Sequence, residues 1–288
     1  MWLPWRDAVV VAGALGAYGT VAPRIATVGA RRPRVRASAG LAREAALVFA
    51  LYALWQYAGT ISVMGAEGAM RRGEAIWHAE RFLHLPSEVA LQRIGFHSDT
   101  LMRGANLYYL VAHVPAVIAF LVWMFFRHRD QYPRWRNVLA AVTATSLAIQ
   151  LVPVAPPRMY PGLGFVDAAQ RYGQSVYSAL GHSGADQLSA MPSVHVAWAL
   201  IVGIGVVAVS RRRRRWLALG HPIATVFVVT VSANHWWLDG AVAAILLAIA
   251  LLAESPVADG LAALRGLFHG DAPVGGPTRG KLSGDTAV

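Results

Sequence analysis

The chain has 288 residues, of which 56% are hydrophobic and only 14% charged, and its formal net charge is +11. A soluble domain carries nearer a quarter charged residues, and several uncharged runs of about 15 to 20 residues exclude one here. The lack of cysteine excludes disulfides, thiolate metal sites and a cysteine nucleophile.

Nucleic acid is not the partner that the positive charge implies. The arginines fall in short clusters between apolar runs, as membrane topology requires. Lys281 is the single lysine among 26 basic residues. That skew, with abundant Ala, Val and Gly, fits a GC-rich bacterial genome.

Ala8 to Ala22 predicts a first span, since the start Trp2-Leu3-Pro4-Trp5 lacks the basic leader of a signal peptide. A basic stretch from Arg24 to Arg43 follows, then a second span from Ala46 to Val63. Residues 66–104 mix Met70, Ile76, Trp77, Phe82 and Leu83 with Arg71, Arg72, Glu74, Glu80 and Arg81 at helical spacing. This pattern predicts amphipathic helices lying in the membrane interface. Leu107 to Phe126 reads as a third span, closed by Arg127, Arg129, Arg134 and Arg136, and Val138 to Val152 as a fourth. A long Pro/Gly-rich connection, residues 153–191, is of a length that usually carries function. Pro192, suited to a first helical turn, opens a fifth span to Val209, closed by Arg211 to Arg215. Leu217 to Val231 and Trp236 to Ala253 are the sixth and seventh. The tail from Glu254 reads as disordered, apart from a short amphipathic piece near Leu261 to Phe268.

These elements predict an all-α, polytopic transmembrane bundle in three parts. Residues 1–44 hold the N-terminal span and basic loop, 45–253 one membrane domain, and 254–288 the tail. Placing the clusters at 24–43, 127–136, 211–215 and the C-terminus together puts 18 of the 26 basic residues on one face. The positive-inside rule makes that face cytoplasmic. Arg158, Ser193, His195, His235 and Asp239 then share the extracytoplasmic face of a plasma membrane.

His235 and Asp239 are four apart, one helical turn, so a carboxylate can orient an imidazole and stabilise its protonated form. An ionisable residue at the head of an apolar run is costly and is a functional signature by default. Ser193 and the N–H groups after it predict an anion site at a helix N-terminus. Arg158, in Pro156-Pro157-Arg158, adds a forked cation suited to phosphate. Two histidines then serve phosphoryl transfer: His235 attacks phosphorus, and His195 protonates the leaving alkoxide. Arg171 and His113 are further candidates for substrate contact, and Asn234 sits in the same string as His235.

Three strings carry a resemblance: Ala155-Pro156-Pro157-Arg158, Ala190 to Trp198 containing Pro192-Ser193-Val194-His195, and Asn234-His235-Trp236-Trp237-Leu238-Asp239. Together they resemble the motifs of the type 2 phosphatidic acid phosphatase superfamily. The closer likeness is to its inositolphosphotransferase-like branch, related to inositol phosphorylceramide synthase, over roughly residues 45–253. The resemblance implies a six-helix phosphatase-like core plus an extra N-terminal span. It also implies His235 as nucleophile, Asp239 as its partner and His195 as acid, with no cofactor and no metal. The partners it implies are a lipid phosphate or phosphodiester and an alcohol or water as acceptor.

The phosphatase pattern has Gly where Val194 stands, and Ser-Arg where Val228 and Val229 stand. Arg129 and Arg136 echo its first motif but belong to the basic face, so they are set aside. These departures favour transfer to an inositol- or sugar-type alcohol over hydrolysis of a lipid or polyprenyl phosphate. A transporter or scaffold is the reading from another class, but repeated halves or paired broken helices are not found. A zinc site from His182, His195, His235 and Asp239 is set aside because Asp239 reads as an orienter. Trp236-Trp237 reads as an interfacial anchor, and His221 is given no role.

Overall fold

Apolar runs divided by arginine clusters fold as helices because a backbone in lipid must satisfy its own hydrogen bonds. The computed structural model describes residues 3–25, 32–60, 68–175 and 186–269. Among these the chain is all helix and turn, with no strand and a lone bridge between Val154 and Ser189. The end of the second expected span, the centre of the long connection with His182, and the tail beyond His269 lie outside the described residues.

Helices α1 (Trp5–Ile25) and α2 (Arg32–Thr60) pack on each other. The basic stretch from Arg32 is therefore helical and continuous with the second span, which begins earlier than Ala46. Next come α3 (Ala69–Phe82), α4 (Glu88–Gly95) and α5 (Asp99–Val111). Ser87 and Ser98 cap α4 and α5 by accepting the N–H groups of Ala90 and Leu101.

The third expected span is broken. α6 (His113–Arg127) follows α5 at a bend of 48° across Ala112. Pro115 gives the reason: its ring would meet the carbonyl of Val111, four residues back, so a straight helix cannot pass. The break sets His113 at the head of α6 instead of within a continuous rod.

α7 (Tyr132–Gln150) leads into the long connection, whose described residues hold 3₁₀ turns at Pro157–Met159, Pro161–Leu163 and Asp186–Leu188 and the one-turn α8 (Ala168–Arg171). α9 (Val194–Val209), α10 (Gly220–Val231) and α11 (Trp237–His269) complete the chain. The last helix does not stop at Ala253 but runs through the first part of the tail. Among the described residues three helices are long and apolar enough to cross a membrane, or up to four if the bent pair counts as one span.

Phe120 and Met124 of α6, Trp135, Val138 and Val142 of α7, Val196 and Ile201 of α9 and Leu247 of α11 form the main core. The clusters at 127–136 and 211–215 gather round one hollow of about 940 Å³, so they share an end of the bundle. A second core joins Ala155, Tyr160, Phe165, Ala190 and Trp236 beneath the long connection, and it floors the site.

Candidate active site

The two histidine motifs are brought together by backbone as much as by side chains. Ser193 caps α9, its Oγ accepting the Val196 N–H at 3.3 Å. Its own N–H donates to the Asp239 carbonyl at 3.2 Å, which ties the start of α9 to the start of α11. Ser193 is fully buried with both groups engaged, and Pro192 stands before the cap, not in the first turn.

Ala233 adopts the left-handed conformation at φ 57° and turns the chain out of α10. The N–H groups of Asn234 and His235 then both reach Val229 O, at 2.9 and 3.1 Å. His235 lies two residues ahead of α11, so the pair does not share a helical face as its spacing predicted. It meets nonetheless. Asp239 Oδ2 accepts the Trp236 N–H at 2.9 Å and lies 3.2 Å from His235 Nδ1.

The tautomer of His235 follows from its other neighbour. Nδ1 lies 2.7 Å from Ala190 O, and a carbonyl only accepts, so Nδ1 carries the hydrogen. Nε2 of the neutral ring is therefore a bare lone pair, buried and without a hydrogen-bond partner among the described residues. The partly buried His195 ring lies 5.7 Å from that of His235, and the Tyr109 ring lies 4.4 Å from His195. An imidazole with one nitrogen pinned and the other free is the arrangement a nucleophile needs.

Arg158 is 7% exposed and is fixed against Ala233 and Asn234, the two residues before His235. Its backbone N–H donates to Ala233 O, one Nη donates to Asn234 Oδ1 at 2.8 Å, and its Nε lies 3.6 Å from Asp167 Oδ2. Asn234 passes the brace on, donating to Ser232 Oγ at 2.8 Å. Arg158, Ser193, Asn234, His195, His235 and Asp239 thus form one connected group. His113 joins it through the His195 ring, 4.8 Å away. Arg171 takes a different course: its guanidinium stacks over Phe96 and Tyr172. Arg136 pairs with Glu44 and Arg129 lies over Phe125, in keeping with their exclusion.

Two features were not legible beforehand. Glu80, placed on the polar side of an interfacial helix, is fully buried with Glu88. Its Oε1 accepts the Leu238 N–H at 2.8 Å, one residue before Asp239, while Arg81 holds Glu88 at 2.9 Å. Glu80 Oε2 and Glu88 Oε1 are buried without a hydrogen-bond partner among the described residues. Burial, then the neighbouring Glu88 side chain, push the Glu80 carboxyl up to about 9. Trp236 is the second. It is 1% exposed and not an interfacial anchor, with its indole N–H donating to Ala155 O at 3.0 Å. Trp237 is the more exposed of the pair and reaches Pro86 O at 2.8 Å.

A family model described as the PAP2 superfamily matches residues 74–253, well over half of the chain. The chain belongs to the PAP2 superfamily. No curated protein and no solved structure matches it. PAP2 membership gives a phosphatase- or phosphotransferase-type enzyme acting on lipid phosphate esters, and the apolar helices fit a membrane protein. The matched region contains Arg158, His195, His235 and Asp239, and it leaves out α1 and α2.

Proposed function

We propose that this PAP2 protein transfers a phosphoryl-linked group on a lipid through a phosphohistidine at His235. The observation that carries the reading is the pinned Nδ1 of His235, bonded to Ala190 O and beside Asp239, with Nε2 left bare. In the first half-reaction Nε2 attacks phosphorus, the P–O bond to the leaving alkoxide breaks, and His195 gives that oxygen its proton. In the second, the acceptor hydroxyl gives its proton to His195, its oxygen attacks phosphorus, and the N–P bond breaks. Arg158 and the N–H groups opening α9 balance charge on the phosphoryl oxygens.

The acceptor is an inositol- or sugar-type alcohol, a transfer reading in line with the inositolphosphotransferase-like branch. The support is the buried Val228 and Val229, which stand where the phosphatase pattern has Ser-Arg. Water attacks the same intermediate, so hydrolysis is the second reading, and PAP2 membership favours it equally. The site faces the extracytoplasmic leaflet of a bacterial plasma membrane, over a six-helix core with α1 added. The joint hollow of the 127–136 and 211–215 clusters supports that topology through the positive-inside rule.

Purified protein is incubated with labelled phosphatidic acid and phosphatidylinositol, with and without myo-inositol, following both release and transfer. Acid-labile, base-stable labelling of the protein is expected, and its absence together with turnover would remove the phosphohistidine. Single cysteines placed in this cysteine-free chain test the topology. Labelling of the 211–215 segment by an impermeant reagent in intact cells would reverse it.

A further inference from the structure

His113 has no part in the chemistry above, yet it is 3% exposed and meets the His195 ring edge-on, at 77°. Its tautomer is fixed by the same logic as that of His235. Nδ1 lies 3.3 Å from Tyr109 O, so Nδ1 carries the hydrogen, and Nε2 of the neutral ring is a lone pair. That Nε2 is buried and has no hydrogen-bond partner among the described residues. The same is true of His195 Nδ1 in the adjacent ring. Two neighbouring rings, their centroids 4.8 Å apart, thus carry a buried acceptor and a nitrogen able to donate, both unsatisfied. Buried polar atoms are rarely left so, and catalytic hydrogen bonds often tighten only when substrate binds.

We propose that His113 is a positioning residue for His195. Its Nε2 lone pair takes the Nδ1–H of His195, which fixes the tautomer whose Nε2 handles the proton at the phosphate. The proposal rests on the acid–base role given to His195. In the first half-reaction His195 releases its Nε2 proton and keeps Nδ1–H, and in the second its Nε2 takes the acceptor's proton. His113 stays neutral throughout and supports the imidazolium that forms. It does for the acid what Ala190 O and Asp239 do for the nucleophile.

The His113 ring is in turn held by an aromatic and hydroxyl cluster. The Tyr108 ring meets it edge-on at 5.5 Å and the His221 ring lies at 5.8 Å. Tyr108 Oη is 2.6 Å from His221 Nδ1 and 3.3 Å from the Oγ1 of the fully buried Thr225. Three imidazoles kept in contact within an apolar bundle are costly unless used.

The test is ¹⁵N spectroscopy of histidine-labelled protein in nanodiscs, with His195→Ala identifying the His195 resonances. At a pH high enough for the His195 ring to have lost its Nε2 proton, wild type and His113→Gln, whose amide oxygen still accepts, are expected to hold His195 as the Nδ1–H tautomer. His113→Phe, which keeps the ring but not the lone pair, is expected to release it to Nε2–H. His113→Leu serves should the phenyl ring not be accommodated. With dioctanoyl phosphatidic acid, kcat in His113→Phe is expected to fall about ten- to a hundredfold, with KM within about twofold. His113→Gln should recover to within about threefold of wild type. An unchanged His195 tautomer in His113→Phe would overturn the proposal, as would a rise in KM at constant kcat. The spectrum needs no substrate, so it decides positioning even if the acid–base reading falls. That separate failure would appear as His195→Ala turning over like wild type.

Discussion

Under the proposed phosphohistidine mechanism, replacing Asp239 by Asn removes a charge from the residue that orients the nucleophile while changing little else in size. Two acceptors share His235 Nδ1–H, Ala190 O at 2.7 Å and Asp239 Oδ2 at 3.2 Å, and the shorter one is main chain. The substitution therefore leaves the tautomer in place. What disappears is the charge-assisted part of one hydrogen bond to a ring that becomes positive on phosphorylation. A hydrogen bond to a charged group contributes about 1.5–3 kcal/mol, against about 0.5–1.5 for a neutral one. The difference of about 1–2 kcal/mol corresponds to about a 5- to 30-fold loss in kcat. That is far below the roughly ten-thousandfold loss that follows when a catalytic imidazole takes the wrong tautomer.

The trade also has a stability side. Asn Oδ1 must face the Trp236 N–H, which puts the amide NH₂ where Asp239 Oδ1 is now buried without a partner. An unsatisfied buried donor costs about 1–3 kcal/mol, which should show as a lowered Tm. The assay is turnover of a lipid phosphate in nanodiscs beside thermal unfolding of the same preparation. A folded Asp239→Asn protein with less than a thousandth of wild-type kcat would refute the role given to Ala190 O.

Three further outcomes are expected. Arg158→Ala should lose on the order of a hundredfold or more in rate, as removal of a cation at developing charge does, whereas Arg129→Ala should retain turnover; equal losses would misplace the phosphate site. Because the Glu80 carboxyl sits at about 9 against an ordinary 4.5, the native state holds a proton that the unfolded chain releases. Its contribution is complete below about 4.5 and lost as pH rises to about 9, so Glu80→Gln, which keeps an acceptor for Leu238, should flatten the fall in Tm between pH 6 and 9. Gly73→Ala should destabilise by about 1–3 kcal/mol, read as a lower Tm, since the new Cβ would stand 2.6 Å from Ala155 O and closer still to the Tyr160 hydroxyl.

The side chains of the site were legible because their chemistry has few other uses in lipid. A histidine four residues from an aspartate at the head of an apolar run, and a Pro-Ser-x-His before another, already named the residues that meet. Their helices were legible from the apolar runs. What was hidden works through the main chain or through distant packing. Ala190 acts by its carbonyl, so no side chain announces it. Glu80 has the spacing of a solvated helix face, and only the packing of α3 on the start of α11 buries it. Pro115 did carry a signal for the bend at Ala112, but it lay inside an otherwise unbroken apolar run. His113 owes its contact with His195 to that bend.

The α1–α2 hairpin has a consequence for how the protein comes apart. Its helices pack on each other, and α2 meets the rest chiefly at α7, where Glu44 receives Arg136 at 2.6 Å and Tyr132 Oη at 3.1 Å. With so little shared surface, the hairpin and the bundle from α3 onward are not obliged to melt as one cooperative unit. A single midpoint would then average two transitions. Variants that keep only Trp5, packed on Tyr57 in the hairpin, or only Trp236, under the long connection, among the ten tryptophans would report them separately.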